Sequence, residues 1–148
     1  PQLLLNLNLS YNFEINKKNF FFTNLQSQYL KSKNYITNEL FRFGGLKSIR
    51  GFAENSLQGN NINLLLTEYR FLTSQNLYIH SILDYGLYQD QTNPASPKKI
   101  NTLFSAGLGL GLLTKNGLLK ITIANGSTNK TEIKPYNSIL NINYNVKF

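Results

Sequence analysis

Arg50, Glu68, Arg70, His80 and Asp84 are the side chains whose type and spacing point most directly to chemistry. Arg50 sits in an irregular stretch, Leu40-Phe41-Arg42-Phe43-Gly44-Gly45-Leu46-Lys47-Ser48-Ile49-Arg50-Gly51-Phe52-Ala53-Glu54-Asn55-Ser56, between segments that alternate apolar and polar residues. A guanidinium offers a planar fork that matches a carboxylate in bidentate fashion. Gly44, Gly45 and Gly51 permit backbone angles that other residues reach only at a cost, and a long interruption with such fixed chemistry is usually functional. Acid–base catalysis would fall to His80, the one histidine, but no serine–histidine–acid arrangement can be read around it. It reads as a hydrogen-bonding wall residue, with a barrel hydrolase as a rival. Gly107, Gly109 and Gly111 superficially suggest a phosphate loop, yet they lie at period two inside a strand rather than at a strand-to-helix turn. No catalytic residue, cofactor or metal is expected, and the absence of cysteine excludes disulfides and thiolate sites.

The elements that must position these residues are strands. From Leu3 to Ile15 the odd positions are Leu, Leu, Leu, Leu, Tyr, Phe and Ile, and the even ones are mostly Asn and Ser. Such period-two patterning far exceeds the usual strand of about five or six residues in a soluble domain. Lys17-Lys18-Asn19 turns the chain into a second strand, about 20–31. Phe20, Phe21 and Phe22 are consecutive there and read as a membrane-interface girdle, with a two-sided buried stretch as the alternative. After a long loop, about 32–60, a third strand covers 61–73 and carries Glu68 and Arg70. The fourth, 77–89, places Tyr78, His80, Ile82, Asp84, Gly86 and Tyr88 on one face. A polar loop, 90–99, leads to a fifth strand, 100–114, with Phe104, Ala106, Leu108, Leu110 and Leu112 outward and Ser105 and the three glycines inward. Asn116-Gly117 signals a tight hairpin into a sixth strand that alternates as far as Ala124. A second polar loop, 125–136, precedes a final strand, 138–148, that alternates Leu140, Ile142, Tyr144, Val146 and Phe148 with Asn141, Asn143, Asn145 and Lys147.

Short turns alternating with long loops, and one apolar face against a face of Asn, Ser, Gly and Thr, describe a transmembrane β-barrel with a wet lumen. No apolar run approaches the ~20 residues of a membrane helix, but a barrel strand needs only ~10. A sheet in lipid must close, and seven strands are too few. The expected fold class is therefore all-β: an antiparallel transmembrane barrel of which residues 1–148 supply about seven strands. A chain starting at Pro1 without a signal peptide or initiator methionine reads as a processed or partial product. The formal charge of +8, from 15 Lys+Arg against 7 Asp+Glu, falls mainly at strand ends and in loops. It forms no basic stripe with stacked aromatics, so nucleic acid is not expected as a partner.

Gly44-Gly45 followed by Ile49-Arg50-Gly51-Phe52 resembles the signature loop of the BamA/TamA superfamily of outer-membrane assembly and translocation barrels. Three further matches follow in order. Glu68-Tyr69-Arg70-Phe71 resembles the Glu-x-Arg-Phe pattern of the next strand, and Ile82-Leu83-Asp84-Tyr85-Gly86 resembles Phe-x-Asp-x-Gly with Ile82 for the aromatic. Phe148 matches a C-terminal aromatic signal, with Asn143 where glycine is expected and Val146 where an aromatic is common. The resemblance implies the C-terminal portion of a larger barrel of about sixteen strands, with the N-terminal strands and periplasmic domains outside this sequence. It implies that Arg50 folds back into the lumen onto an inner-wall acid, Asp84 first and Glu68 second. Arg70, Gly86, Gly107, Gly109 and Gly111 would line that wall. Asn141, Tyr144, Val146 and Phe148 would form a seam and C-terminal signal on the last strand.

The function so implied is non-enzymatic insertion and assembly of β-barrel proteins in the bacterial outer membrane. Its partners would be nascent outer-membrane proteins, lipid and lipopolysaccharide, the rest of the same protein, and accessory lipoproteins. A two-partner-secretion-type translocation pore and a plain structural barrel or porin are the alternative readings.

Overall fold

The computed structural model describes residues 2–93, 95 and 98–146. Within them the chain forms β1 (Leu3–Asn16), β2 (Asn19–Lys31), β3 (Phe41–Phe43), β4 (Leu57–Gly59), β5 (Asn61–Leu72), β6 (Leu77–Gln89), β7 (Ile100–Thr114), β8 (Gly117–Thr128) and β9 (Ile139–Val146). Seven of these make one antiparallel sheet in the order β1-β2-β5-β6-β7-β8-β9, and β3 pairs with β4. The architecture is all-β; the helical segments among the described residues are two short 3-10 turns. The sequence pattern anticipates the seven long strands closely. It does not anticipate the β3–β4 hairpin inside the long loop, nor the extension of β8 past Ala124 to Thr128. Both additions are local pairings without an apolar/polar alternation to announce them.

The two faces of the sheet differ as period-two patterning requires. Outward residues are exposed and apolar, for example Leu108 at 61% and Ile142 at 67%. The cross-strand register runs this apolar belt obliquely across the sheet. Leu9 on β1 lies in one row with Leu25, Leu65, Tyr85, Phe104 and finally Ser127 on β8. The apolar outward residues of β9, Leu140 to Val146, sit further toward the short-turn end. Strands tilted by roughly 35–45° to a barrel axis produce such a stagger.

The inner face is not uniformly polar. At the long-loop end Ile62, Leu64, Leu66 and Leu103 point inward and bury against Phe43 and Ile49 of the loop, with Phe41, Phe52, Leu57 and Tyr88 packed around them. The three consecutive phenylalanines also divide. Phe21 shares the outward row of Phe13 and Tyr69, whereas Phe20 and Phe22 share parity with the inward Arg70 and Glu68. Phe22 lies beneath the Arg70 guanidinium, 4.6 Å from its ring centre. The two-sided reading of this cluster is therefore the correct one; a lipid girdle would have left Arg70 without its platform.

On β7 the inward glycines leave room for the bulkier neighbours on β6. A Cβ at Gly109 would stand 2.2 Å from His80 Nε2, and one at Gly111 would stand 2.0 Å from Cζ of the Tyr78 ring. Space here serves the β6 side chains Tyr78 and His80. We predict that Gly109→Ala destabilises the folded sheet by about 1–3 kcal/mol, as overpacking does. Adding His80→Ala in the same full-length protein should return part of that loss, read as urea midpoints of the heat-modifiable form, with the 2.9 Å approach to the Ile121 carbonyl oxygen remaining. A neutral Gly109→Ala would show that this contact is not tight.

Candidate functional site

The site is built where the long loop meets β5 and β6. Gly44, Gly45 and Gly51 have φ of +107°, +99° and +81°, the left-handed region that side chains disfavour. Between them the loop closes on itself through Gly45 N–H to Ile49 O (3.0 Å), Ser48 N–H to Gly45 O (3.1 Å) and Gly44 N–H to Ser48 Oγ (3.2 Å). Gly51 then runs against the backbone of β8: a Cβ there would meet the Asn125 carbonyl carbon at 2.6 Å. Phe52 packs its ring over Gly126, and Gln26 on β2 donates to Lys47 O at 3.0 Å. The loop is thus pinned to the inner wall on both sides of Arg50.

Arg50 is 3% exposed and sits between two carboxylates. Its Nε donates to Asp84 Oδ2 at 2.8 Å, its Nη2 donates to Asp84 Oδ1, and its Nη1 donates to Glu68 Oε1. Nη2 also reaches the Thr67 carbonyl at 3.2 Å, and the Arg50 backbone N–H donates to Asp84 Oδ2 at 3.2 Å. Asp84 additionally accepts from Thr67 N–H. Burial alone works against the Arg50 charge, but the hydrogen bonds and charges of Asp84 and Glu68 outweigh it and hold its pKa above the usual arginine value.

Two cations that the sequence pattern did not bring forward in this role complete the cluster. Arg70 donates from Nε to Glu68 Oε2 at 2.7 Å, and Lys120 reaches from β8 over β7 and β6 to Glu68 Oε1 at 3.3 Å. Arg50, Arg70 and Lys120 therefore share the charges of Glu68 and Asp84. The parity of β8 was the one available signal for Lys120, since it faces inward with Thr122. His80 is 1% exposed, with Nδ1 3.9 Å from Glu68 Oε2 and neither nitrogen hydrogen-bonded among the described residues. Among the described residues no hydroxyl hydrogen-bonds to it.

The remaining predicted residues distribute as follows. Gly86 lies under Leu64 and Ile49, in the apolar part of the wall. Gly107 abuts Ala124, and Gly109 and Gly111 lie under the β6 side chains already described. Asn141 faces inward opposite Thr122, whereas Tyr144 and Val146 share the outward parity of Ile142 on the edge strand β9. Phe148 lies outside the described residues. Among the described residues, Asn141, Tyr144 and Val146 make no hydrogen bond or ion pair with the Arg50 cluster.

The arrangement engages each of its charged side chains in an ion pair. What it does is fix a loop to a wall by a desolvated, multiply hydrogen-bonded charge cluster. The Omp85 superfamily domain matches residues 3–146. The chain belongs to the Omp85 superfamily. Its members are outer-membrane β-barrels that insert or translocate proteins, and in this Omp85 domain the buried loop arginine is the centre of the inner wall. No curated protein matches the chain.

Removing one partner from such a cluster strands the others. Arg50→Ala in this Omp85 domain should cost about 3–5 kcal/mol of loop docking, because Asp84 keeps only its backbone donors, residue 50 N–H and Thr67 N–H. Arg50→Lys should recover little, since an ammonium cannot serve both carboxylates in fork geometry. Limited proteolysis within residues 44–56 of the full-length protein reads both. Glu68→Gln should be at least as damaging as Asp84→Asn, because Glu68 pairs with Arg50, Arg70 and Lys120 whereas Asp84 pairs with Arg50 alone. Adding Lys120→Met to Glu68→Gln should then restore part of the protection; no restoration would show that Lys120 is not part of the balance.

Proposed function

We propose that this chain is the C-terminal part of a larger barrel, of about sixteen strands, that inserts and assembles other β-barrel proteins in the bacterial outer membrane, in the BamA/TamA manner. The observation that carries this reading is the loop clamp. Arg50 ties a long loop to the inner wall through Asp84 and Glu68, so the lumen beside β5 and β6 is occupied by protein rather than open for solute flow. That favours an assembly factor over a plain porin. The signature loop of Gly44, Gly45, Ile49, Arg50, Gly51 and Phe52 serves to hold the wall in one curvature while the edge works.

The working edge in this proposal is β9. Among the described residues it pairs with β8 alone, from Ile139 to Val146. An open row of amides and carbonyls is what an incoming strand binds by β-augmentation. Asn141 supplies the polar inner side of the seam, and Tyr144, Val146 and Phe148 supply its lipid side and C-terminal signal. Nascent outer-membrane proteins are the substrates. Lipid and lipopolysaccharide surround the apolar belt, and the rest of the same protein contributes the other strands and the periplasmic domains, with accessory lipoproteins alongside. The chemistry is non-covalent throughout, with no catalytic residue and no cofactor.

The test is a charge-swap cycle in the full-length protein: Arg50→Glu, Asp84→Arg, and both together. Each single change should lower the outer-membrane levels of other barrel proteins, and the double should recover part of the loss. Normal assembly of other barrels in both single variants would overturn the proposal in favour of a structural barrel. Loss confined to one dedicated exported protein would instead support a two-partner-secretion-type pore.

A further inference from the structure

At the long-loop end, away from the Arg50 cluster, the loop hairpin, the end of β6, the start of β7 and the turn after β8 enclose a cleft of about 350 Å³. Gln58, Tyr88, Asp90, Asn101, Asn129 and Lys130 supply its polar lining. The walls are fixed by hydrogen bonds that use only part of each side chain. Gln58 Nε2 donates to Asp90 Oδ2 at 3.1 Å, while Asp90 Oδ1 accepts from Thr92 N–H at 2.9 Å. Asn129 Oδ1 accepts from Thr102 N–H at 2.6 Å and from its hydroxyl at 3.0 Å. The Thr128–Thr131 turn is closed by reciprocal backbone bonds of 3.0 and 3.2 Å, which hold Lys130 at the rim.

These bonds leave a particular set of groups without a partner among the described residues. Gln58 Oε1 is a free acceptor, Asn129 Nδ2 is a free donor, the Asn101 amide offers both, and the Lys130 ammonium stands alone. Asp90 accepts from Gln58 and Thr92 but keeps its charge, so the cleft presents amides, one carboxylate and one cation beside the Leu57 and Tyr88 side chains. That is a poor match for an apolar ligand, and one ammonium beside a carboxylate is a poor match for a bare phosphate. Alternating donors and acceptors on rigid walls, in a space within the range of roughly 300–1,000 Å³ typical of small-ligand sites, match a chain of hydroxyls. We propose that this cleft is a binding site for a short saccharide, carried either as the sugar part of a glycolipid or free.

The cleft also has a structural condition. Gln58 belongs to the same loop as Arg50, and the hairpin that carries it is seated by Phe43 against Tyr88, ring centres 5.2 Å apart. The cleft therefore exists only when the loop is docked. A saccharide that binds the docked state alone must favour docking by the same free energy with which docking favours the saccharide.

The experiment uses the full-length protein in lipid nanodiscs and two probes: lipid-free core oligosaccharide released from lipopolysaccharide, and intact lipopolysaccharide in the disc. Binding of the oligosaccharide should be saturable, should protect residues 44–56 from protease, and should weaken about five- to tenfold in Asn101→Ala and again in Lys130→Ala, as loss of one hydrogen-bonding group does. Binding only of the intact form, with the same dependence on both residues, assigns the glycolipid as the source. Failure of both probes to bind, or binding unchanged in both variants, overturns the proposal. A different loop of the full chain filling the cleft would give the first of those results. These readouts need no assembly activity, so they stand or fall apart from the assembly function proposed above.

Discussion

Everything on the inner wall depends on how one buried guanidinium is neutralised. Arg50 is brought out of water on a loop, and a charge in that position is tolerable only with carboxylates and hydrogen bonds already in place. Asp84 takes two of its donors and the Arg50 backbone N–H, and Glu68 takes a third side-chain donor. These acids come from neighbouring strands, β5 and β6, two residue pairs apart in the register, since Asp84 lies opposite Leu66 and Glu68 opposite Ile82. The loop can therefore dock in one place only. Its glycines, its close approach to β8 and its apolar seat all follow from that position.

The seat itself shows how an inner barrel wall divides its labour. Toward the long loops the wall is apolar, with Ile49 completely buried among Ile62, Leu64 and Leu103. One or two rows further along it carries charge, with Arg70 and Lys120 both paired to Glu68 and Phe22 beneath Arg70. Hydrophobic burial supplies non-directional adhesion, and the ion cluster supplies the register of that adhesion. Neither alone would hold a segment this long in a single conformation.

Much of the fold was legible because strands in lipid have a strict period of two. From Leu3 onward the alternation gave the long strands, their facing and the tight hairpins. It likewise put Glu68, Arg70 and Asp84 on one face, which is the face on which the structure places them. The alternation could not disclose partners that lie several strands apart. Lys120 meets Glu68 only because the curved sheet brings β8 toward β5, and curvature leaves no mark on a linear pattern. The inward turn of Phe20 and Phe22 was hidden for a related reason: three consecutive aromatics erase the phase that would have told the faces apart. The loop hairpin of Phe41–Phe43 with Leu57–Gly59 is too short to show a period at all.

The edge strand β9 carries a property of its own. Asn141, Asn143 and Asn145 face inward, while Leu140, Ile142, Tyr144 and Val146 face out. A slip of one residue against any neighbour would turn every asparagine toward lipid, whereas a slip of two would leave each face chemically almost unchanged. The strand is thus nearly self-similar under a two-residue translation. It dictates which way a paired strand must face and says little about how far along that strand must sit, so its open edge is strict about orientation and lenient about sequence.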